Sequence, residues 1–100
     1  MTQFILAPEA IKDLEKILDY LAAGSLDSGE NFLDAFQKKC RFLTQFPKMG
    51  RSYERIRDDL RGLPLKGYVI FYRVSESQVE ILRVIQGNRD FEALFDVDEM

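Results

Sequence analysis

The sequence contains no histidine, no tryptophan and a single cysteine among its 100 residues. Without histidine no Ser-His or Cys-His nucleophile pair can exist, and the commonest general base is missing. Any proton transfer would fall to Lys, Arg, Tyr, Asp or Glu. One cysteine closes no internal disulfide, and there is no Cys/His cluster from which to build a zinc site, so neither a metal nor a cofactor is expected. Long apolar runs are lacking too: the longest is a few residues, whereas a bilayer-crossing helix needs about 20. Met1 leads into the strand-like Thr2-Gln3-Phe4-Ile5-Leu6 and not into a basic region followed by an apolar stretch. The expectation is a cytoplasmic protein with no signal segment and no membrane partner. Gly50, Gly62, Gly67 and Gly87 are scattered and form no phosphate-binding loop.

What is present, at 31% charged and 46% hydrophobic residues, suits one α+β domain over residues 1–100. The net charge of −3 hides an uneven distribution. Residues 1–47 carry 5 basic and 7 acidic groups, residues 48–89 carry 9 and 5, and residues 90–100 carry 0 and 5, giving −2, +4 and −5. The basic middle is a candidate binding surface, and the acidic residues 96–100 are expected to fray.

Helical spacing begins after Pro8, where Ile11, Leu14, Ile17, Leu18 and Leu21 form one apolar stripe; Gly24 is the expected left-handed cap. A second stripe of Phe32, Phe36, Cys40 and Leu43 predicts a helix from about Ser28 to Phe46, capped by Asp27 or Ser28 and stopped by Pro47. So short a connection predicts an antiparallel helical hairpin. Beyond a turn at Lys48-Met49-Gly50-Arg51 and a charged connector through Asp59, the period changes to two. Leu60 to Leu65, Tyr68 to Val74 and Gln78 to Ile85 read as strands, the last two as a hairpin around Ser75-Glu76-Ser77.

Pairing Val74 with Val79 sets Arg73 opposite Glu80, Phe71 opposite Leu82 and Val69 opposite Val84. The Val69/Phe71/Leu82/Val84 face is the cleaner apolar set and is expected to meet the helices. Tyr68, Ile70, Tyr72, Ile81, Arg83 and Ile85 would then form a partly open face, with Arg61, Asn88 and Arg89 at its rim. Aromatics beside arginines can stack on bases and contact phosphates, or simply cover a sheet. Cys40 reads as a small core residue, Asp58-Asp59 as a solvated turn, and Asp90 as the cap of a short helix holding Phe91, Leu94 and Phe95.

The order of elements, together with particular residues, resembles the ParE branch of the RelE/ParE toxins of bacterial type II toxin–antitoxin systems. Those residues are Ala10, Asp13-Leu14, Ile17 and Tyr20; Phe46-Pro47 and Gly50-Arg51; Leu60-Arg61 and Leu63-Pro64. They continue through Gly67-Tyr68-Val69-Ile70-Phe71-Tyr72-Arg73-Val74, Ile81-Leu82-Arg83-Val84, Gly87 and Arg89-Asp90. The resemblance implies a strand, a helical hairpin and a mostly antiparallel sheet in the order β-α-α-β-β-β with a short final helix.

RelE-like members are ribosome-dependent messenger RNases, whereas ParE-like members act on DNA gyrase without cutting nucleic acid. Val69 stands where RelE-like enzymes often carry an arginine. Their basic preceding strand is reduced to Arg61 and Lys66. Phe91 and Phe95, which transfer no proton, are the possible counterparts of the C-terminal catalytic tyrosine. Gln86 replaces the histidine found in many ParE-like chains.

The resemblance therefore implies a non-catalytic gyrase inhibitor that forms a hetero-oligomer with a cognate antitoxin and has no specific nucleic-acid site. Its target contacts are expected at Arg61, Arg83, Arg89 and Asn88. The alternatives are a ribosome-dependent RNase using Arg61, Tyr72, Arg83 and Arg89, and a degenerate toxin acting only as a binding module. The chain also carries more large apolar side chains than a one-sided core encloses. Leu18, Leu21, Phe32, Tyr68, Ile70 and Tyr72 are accordingly expected to line an antitoxin groove, with Arg51, Arg55 and Arg57 selecting an acidic tail.

Overall fold

The computed structural model describes residues 3–96. Its elements are β1 (Phe4–Leu6), α1 (Pro8–Gly24), α2 (Leu26–Gln45), β2 (Arg51–Ser52), β3 (Arg61–Leu65), β4 (Tyr68–Val74), β5 (Val79–Gln86) and α3 (Phe91–Asp96). The expected frayed segment 96–100 lies outside the described residues apart from the backbone of Asp96, and so do the first two residues of the N-terminal strand reading. Among the described residues no helix is long and apolar enough to cross a membrane.

Pro8 occupies the first turn of α1, where a missing N–H costs nothing, and the N–H of Ala7 ties the helix start to the sheet through the Ile81 carbonyl at 2.8 Å. The expected left-handed cap at Gly24 is absent, because Gly24 is still helical. The joint is instead a single extended residue, Ser25, whose N–H closes α1 on the Leu21 carbonyl and whose own position begins α2. As a result α2 starts at Leu26, ahead of the expected Ser28, and neither Asp27 nor Ser28 is its cap. Gly29 sits buried at the hairpin, its Cβ position 3.7 Å from the Leu18 carbonyl, so the two helices approach closely there.

The five strands form one sheet in the order β1-β5-β4-β3-β2, with β1 parallel to β5 and the remaining pairs antiparallel. β2 lies inside what the sequence suggested was a turn and connector. The β4/β5 register matches expectation at Val74↔Val79 and Arg73↔Glu80, then breaks at a bulge between Phe71 and Tyr72. Tyr72 still pairs with Ile81, in the expected register, but Phe71 pairs with Arg83, Ile70 with Val84 and Val69 with Ile85, one residue off the expected pairs.

The expected faces are exchanged on β4 and on β5 as far as Arg83, whereas beyond the bulge Val84 meets the helices and Ile85 faces away from them, as expected. The helices cover Leu63, Leu65, Ile70, Tyr72, Val79, Ile81 and Val84, joined by Ala10, Leu14, Ile17, Phe32, Phe36, Cys40 and Leu43. Val69, Phe71 and Ile85 face the other way, and that side is not open either: the segment carrying Tyr53, Ile56 and Leu60, with Phe95 of α3, closes over it as a second core. Four rings hold this layer together, with Tyr53, Phe71, Phe91 and Phe95 in edge-to-face pairs 4.9 to 6.0 Å apart. Asp90 caps α3 as expected, its Oδ1 accepting the Ala93 N–H at 3.2 Å.

Candidate functional site

On α1, Asp13, Lys16 and Tyr20 are spaced three and four apart and share one helix face. That face looks across the end of β5, where Arg83 and Gln86 project, and toward Arg89 in the following turn. The result is a recess of about 310 Å³, floored in part by Tyr68 and Val84 and bounded by Leu94 of α3.

Its central contact joins residues seventy positions apart. Arg83 donates from Nε to Asp13 Oδ2 at 2.8 Å and from Nη2 to Oδ1 at 3.1 Å, while the Val84 N–H donates to the same Oδ2 at 2.9 Å. The two side chains are only 19% and 15% exposed, so solvent screens the pair weakly and its two parallel bonds fix both groups. Lys16 and Arg89 make no ion pair among the described residues, and Tyr20 is 75% exposed.

The residues expected to act together are dispersed. Arg83 and Arg89 do meet at the recess, and Tyr68 joins them half-buried, its ring edge-on to Phe32 at 5.3 Å. Asn88 is exposed on the adjacent turn. Arg61 is elsewhere: its Nη1 donates to the carbonyls of Gly50 at 2.8 Å and Lys48 at 3.3 Å, bracing the turn that follows α2.

The expected antitoxin groove needs correction. Ile70 and Tyr72 are wholly buried and Phe32 nearly so, because the helices pack on the face that was expected to stay open. Leu18 and Leu21 are half-buried against the same core. Arg51 and Arg55 lie over the Tyr53 ring at 5.6 and 5.5 Å, and Arg57 over Phe95 at 5.1 Å, so these arginines roof the second core on the opposite side of the sheet. The residues not foreseen at the recess are Lys16, Gln86 and the partner role of Asp13. The three-and-four spacing of Asp13, Lys16 and Tyr20 on the polar side of α1 was the available signal.

Tyr72, a candidate proton donor, has its hydroxyl fully engaged: it donates to the Pro47 carbonyl at 2.7 Å and accepts the Gly50 N–H at 2.9 Å. Burial pushes its pKa up, against smaller opposing effects of the Gly50 hydrogen bond and the Arg61 charge. Cys40 is buried, and its thiol is pushed up to about 12 by desolvation, which keeps it unreactive.

The candidate site is thus a charged recess beside a helical hairpin in a small α+β domain. Comparison with known proteins gives the family. The profile of the ParE toxin of type II toxin–antitoxin systems matches residues 4–91, and the chain belongs to that family. Toxin ParE1 of Mycobacterium tuberculosis is 30% identical over 92 residues, covering 89% of this chain and 93% of the relative. Toxin ParE3 of Caulobacter vibrioides is 33% identical over 51 residues, 51% of each chain. In fold, the chain superposes on a solved chain of the chromosomal ParDE toxin–antitoxin system of P. aeruginosa with a TM-score of 0.70 at 20% identity, over 86% of this chain and 95% of that one.

Proposed function

We propose that this ParE-family toxin acts in the cytoplasm by binding and inhibiting DNA gyrase, does not itself cut RNA, and is neutralised by a cognate antitoxin with which it forms a hetero-oligomer. The observation that carries this reading is the engagement of the groups a nuclease would need. The Tyr72 hydroxyl is held by two backbone partners inside the core, Arg83 is clamped by Asp13, and Arg61 is spent on backbone carbonyls. Phe91 and Phe95 contribute rings to the second core and carry no proton to give. Protein contact remains, and the exposed turn with Asn88 and Arg89 beside the recess is the target surface this reading favours.

The test pairs two assays on the purified toxin. Gyrase supercoiling should be blocked at a modest molar excess, and primer extension on a translated message should show no toxin-dependent cleavage. Codon-phased cleavage that disappears in Arg83→Ala, with supercoiling untouched at large excess, would replace this reading with the ribosome-dependent one.

A further inference from the structure

We propose that the recess between α1, β5 and α3 seats an acidic segment of the antitoxin, with Lys16 and Arg89 as its charge-selecting residues; this rests on the toxin–antitoxin reading above.

The argument begins with local charge. The whole chain is −3, yet the recess gathers Lys16, Arg83 and Arg89 against a single carboxylate, Asp13. Asp13 is committed to Arg83 through two parallel bonds, so the cations left to recruit an outside anion are those on the rim, Lys16 and Arg89. Several other basic side chains already have partners: Arg73 with Glu80, Arg55 with Glu92, Lys38 with Asp34 and Lys12 with Glu9. Two unmatched cations on facing elements, one from a helix and one from a turn, favour a partner that brings carboxylates to both.

The same features separate a polypeptide from a small anion. Among the described residues no buried side-chain polar atom lacks a hydrogen-bond partner, so the floor of the recess holds no buried side-chain donor waiting for a compact ligand. The unmatched charge sits at the open rim, on long flexible side chains. Tyr20, exposed on the same helix face, adds a broad apolar ring against which a chain can lie. A segment running from Tyr20 past Lys16 to Arg89 also approaches Asn88, so neutralisation would follow from covering the target surface itself.

The test is a calorimetric titration of the toxin with its cognate antitoxin, alongside titration with inorganic phosphate. In the Lys16→Glu/Arg89→Glu variant the antitoxin should bind on the order of 100-fold more weakly, and the salt dependence of binding should shrink. The neutral Lys16→Gln/Arg89→Gln variant should show an intermediate loss. Lys39→Glu, a single reversal on the exposed side of α2, should stay within about 2-fold of the unaltered protein, whereas Lys16→Glu alone should lose on the order of 10-fold. Thermal melts of each variant establish that it is folded.

An antitoxin that binds the unaltered and doubly reversed toxins equally well would overturn the recess while leaving the toxin–antitoxin reading in place. An antitoxin that fails to bind the unaltered toxin would overturn both. Micromolar binding of inorganic phosphate, abolished by the double reversal, would reassign the recess to a small anion and refute the polypeptide occupant.

Discussion

Replacing Tyr72 by phenylalanine keeps the buried ring and removes one oxygen, which isolates the role of the hydroxyl. That oxygen spans 22 and 25 residues of sequence, accepting the N–H of buried Gly50 and donating to the carbonyl of half-buried Pro47. No side chain nearby takes over either role: the Arg61 guanidinium donates to the neighbouring carbonyls of Lys48 and Gly50 and cannot accept the Gly50 N–H. An orphaned buried donor costs about 1–3 kcal/mol, and a carbonyl that regains partial water contact about 0.5–1 kcal/mol, so the substitution should remove about 1.5–4 kcal/mol, centred on about 2.5 kcal/mol. In a domain of this size that lowers the melting midpoint by about 10–20 °C. It is a large share of the ~5–15 kcal/mol that typically separates folded from unfolded chains.

Urea denaturation with an unchanged slope, together with thermal melts, measures this loss. Tyr68→Phe is the internal control, because the Tyr68 hydroxyl makes no side-chain hydrogen bond among the described residues; its midpoint should move by no more than about 2 °C. A Tyr72→Phe midpoint equally close to that of the unaltered protein would refute the reasoning, since it would mean the 47–50 turn is held without the hydroxyl.

Four other outcomes follow from the packing. The Cys40 thiol, ordinarily at 9.0, is raised to about 12 by burial, so its contribution to stability is fully present below pH 9.0 and fades as pH climbs toward 12. Stability measured from about pH 8 to about pH 11 should therefore fall more steeply for the unaltered protein than for Cys40→Ala, and parallel curves would contradict this. Asp13→Asn leaves Arg83 without its counter-charge in a site less than one-fifth exposed and should cost about 3 kcal/mol in urea denaturation; a loss below about 1 kcal/mol would show the clamp to be dispensable. Gly24→Ala meets nothing within 4 Å in a helical position and should stabilise by about 0.5–1 kcal/mol. Gly50→Ala would place a Cβ 2.5 Å from Tyr72 Oη and 2.9 Å from the Gly62 carbonyl and should destabilise by about 1–3 kcal/mol, both changes being read from melting curves.

The helical hairpin was legible because each helix is buried on one side only, which leaves Leu14 and Ile17, or Phe36, Cys40 and Leu43, as an apolar stripe on a polar background. The same logic fails for β4. Val69, Ile70, Phe71 and Tyr72 are all buried, two toward the helices and two toward the second core, so no polar alternation says which face is which. The second core was missed for a related reason. Tyr53, Ile56 and Leu60 sit among Glu54, Arg55, Asp58 and Asp59 in a segment with neither helical nor strand period, and their burial depends on rings of Phe71 and Phe95 far along the chain. The arginines of this segment then read as a free basic patch, although Arg51, Arg55 and Arg57 lie over aromatic rings.

The recess was hidden by one extra residue. With a regular ladder, Leu82 would face Phe71 and the strand would continue in step. Leu82 packs on the second core and Arg83 reaches the helix side, as alternation from Ile81 requires, and the bulge turns the next residue, Val84, toward the helix side as well. β1 pairs with β5 only as far as Ile81, and beyond it the Val84 N–H donates to the Asp13 carboxylate, the same group that clamps Arg83. One side chain of α1 therefore answers both a backbone donor on the β5 edge beyond β1 and the cation beside it. That arrangement ties the helix to the strand where Lys16 and Arg89 line the recess, and the irregularity that defeated the register reading is what turns Val84 into it.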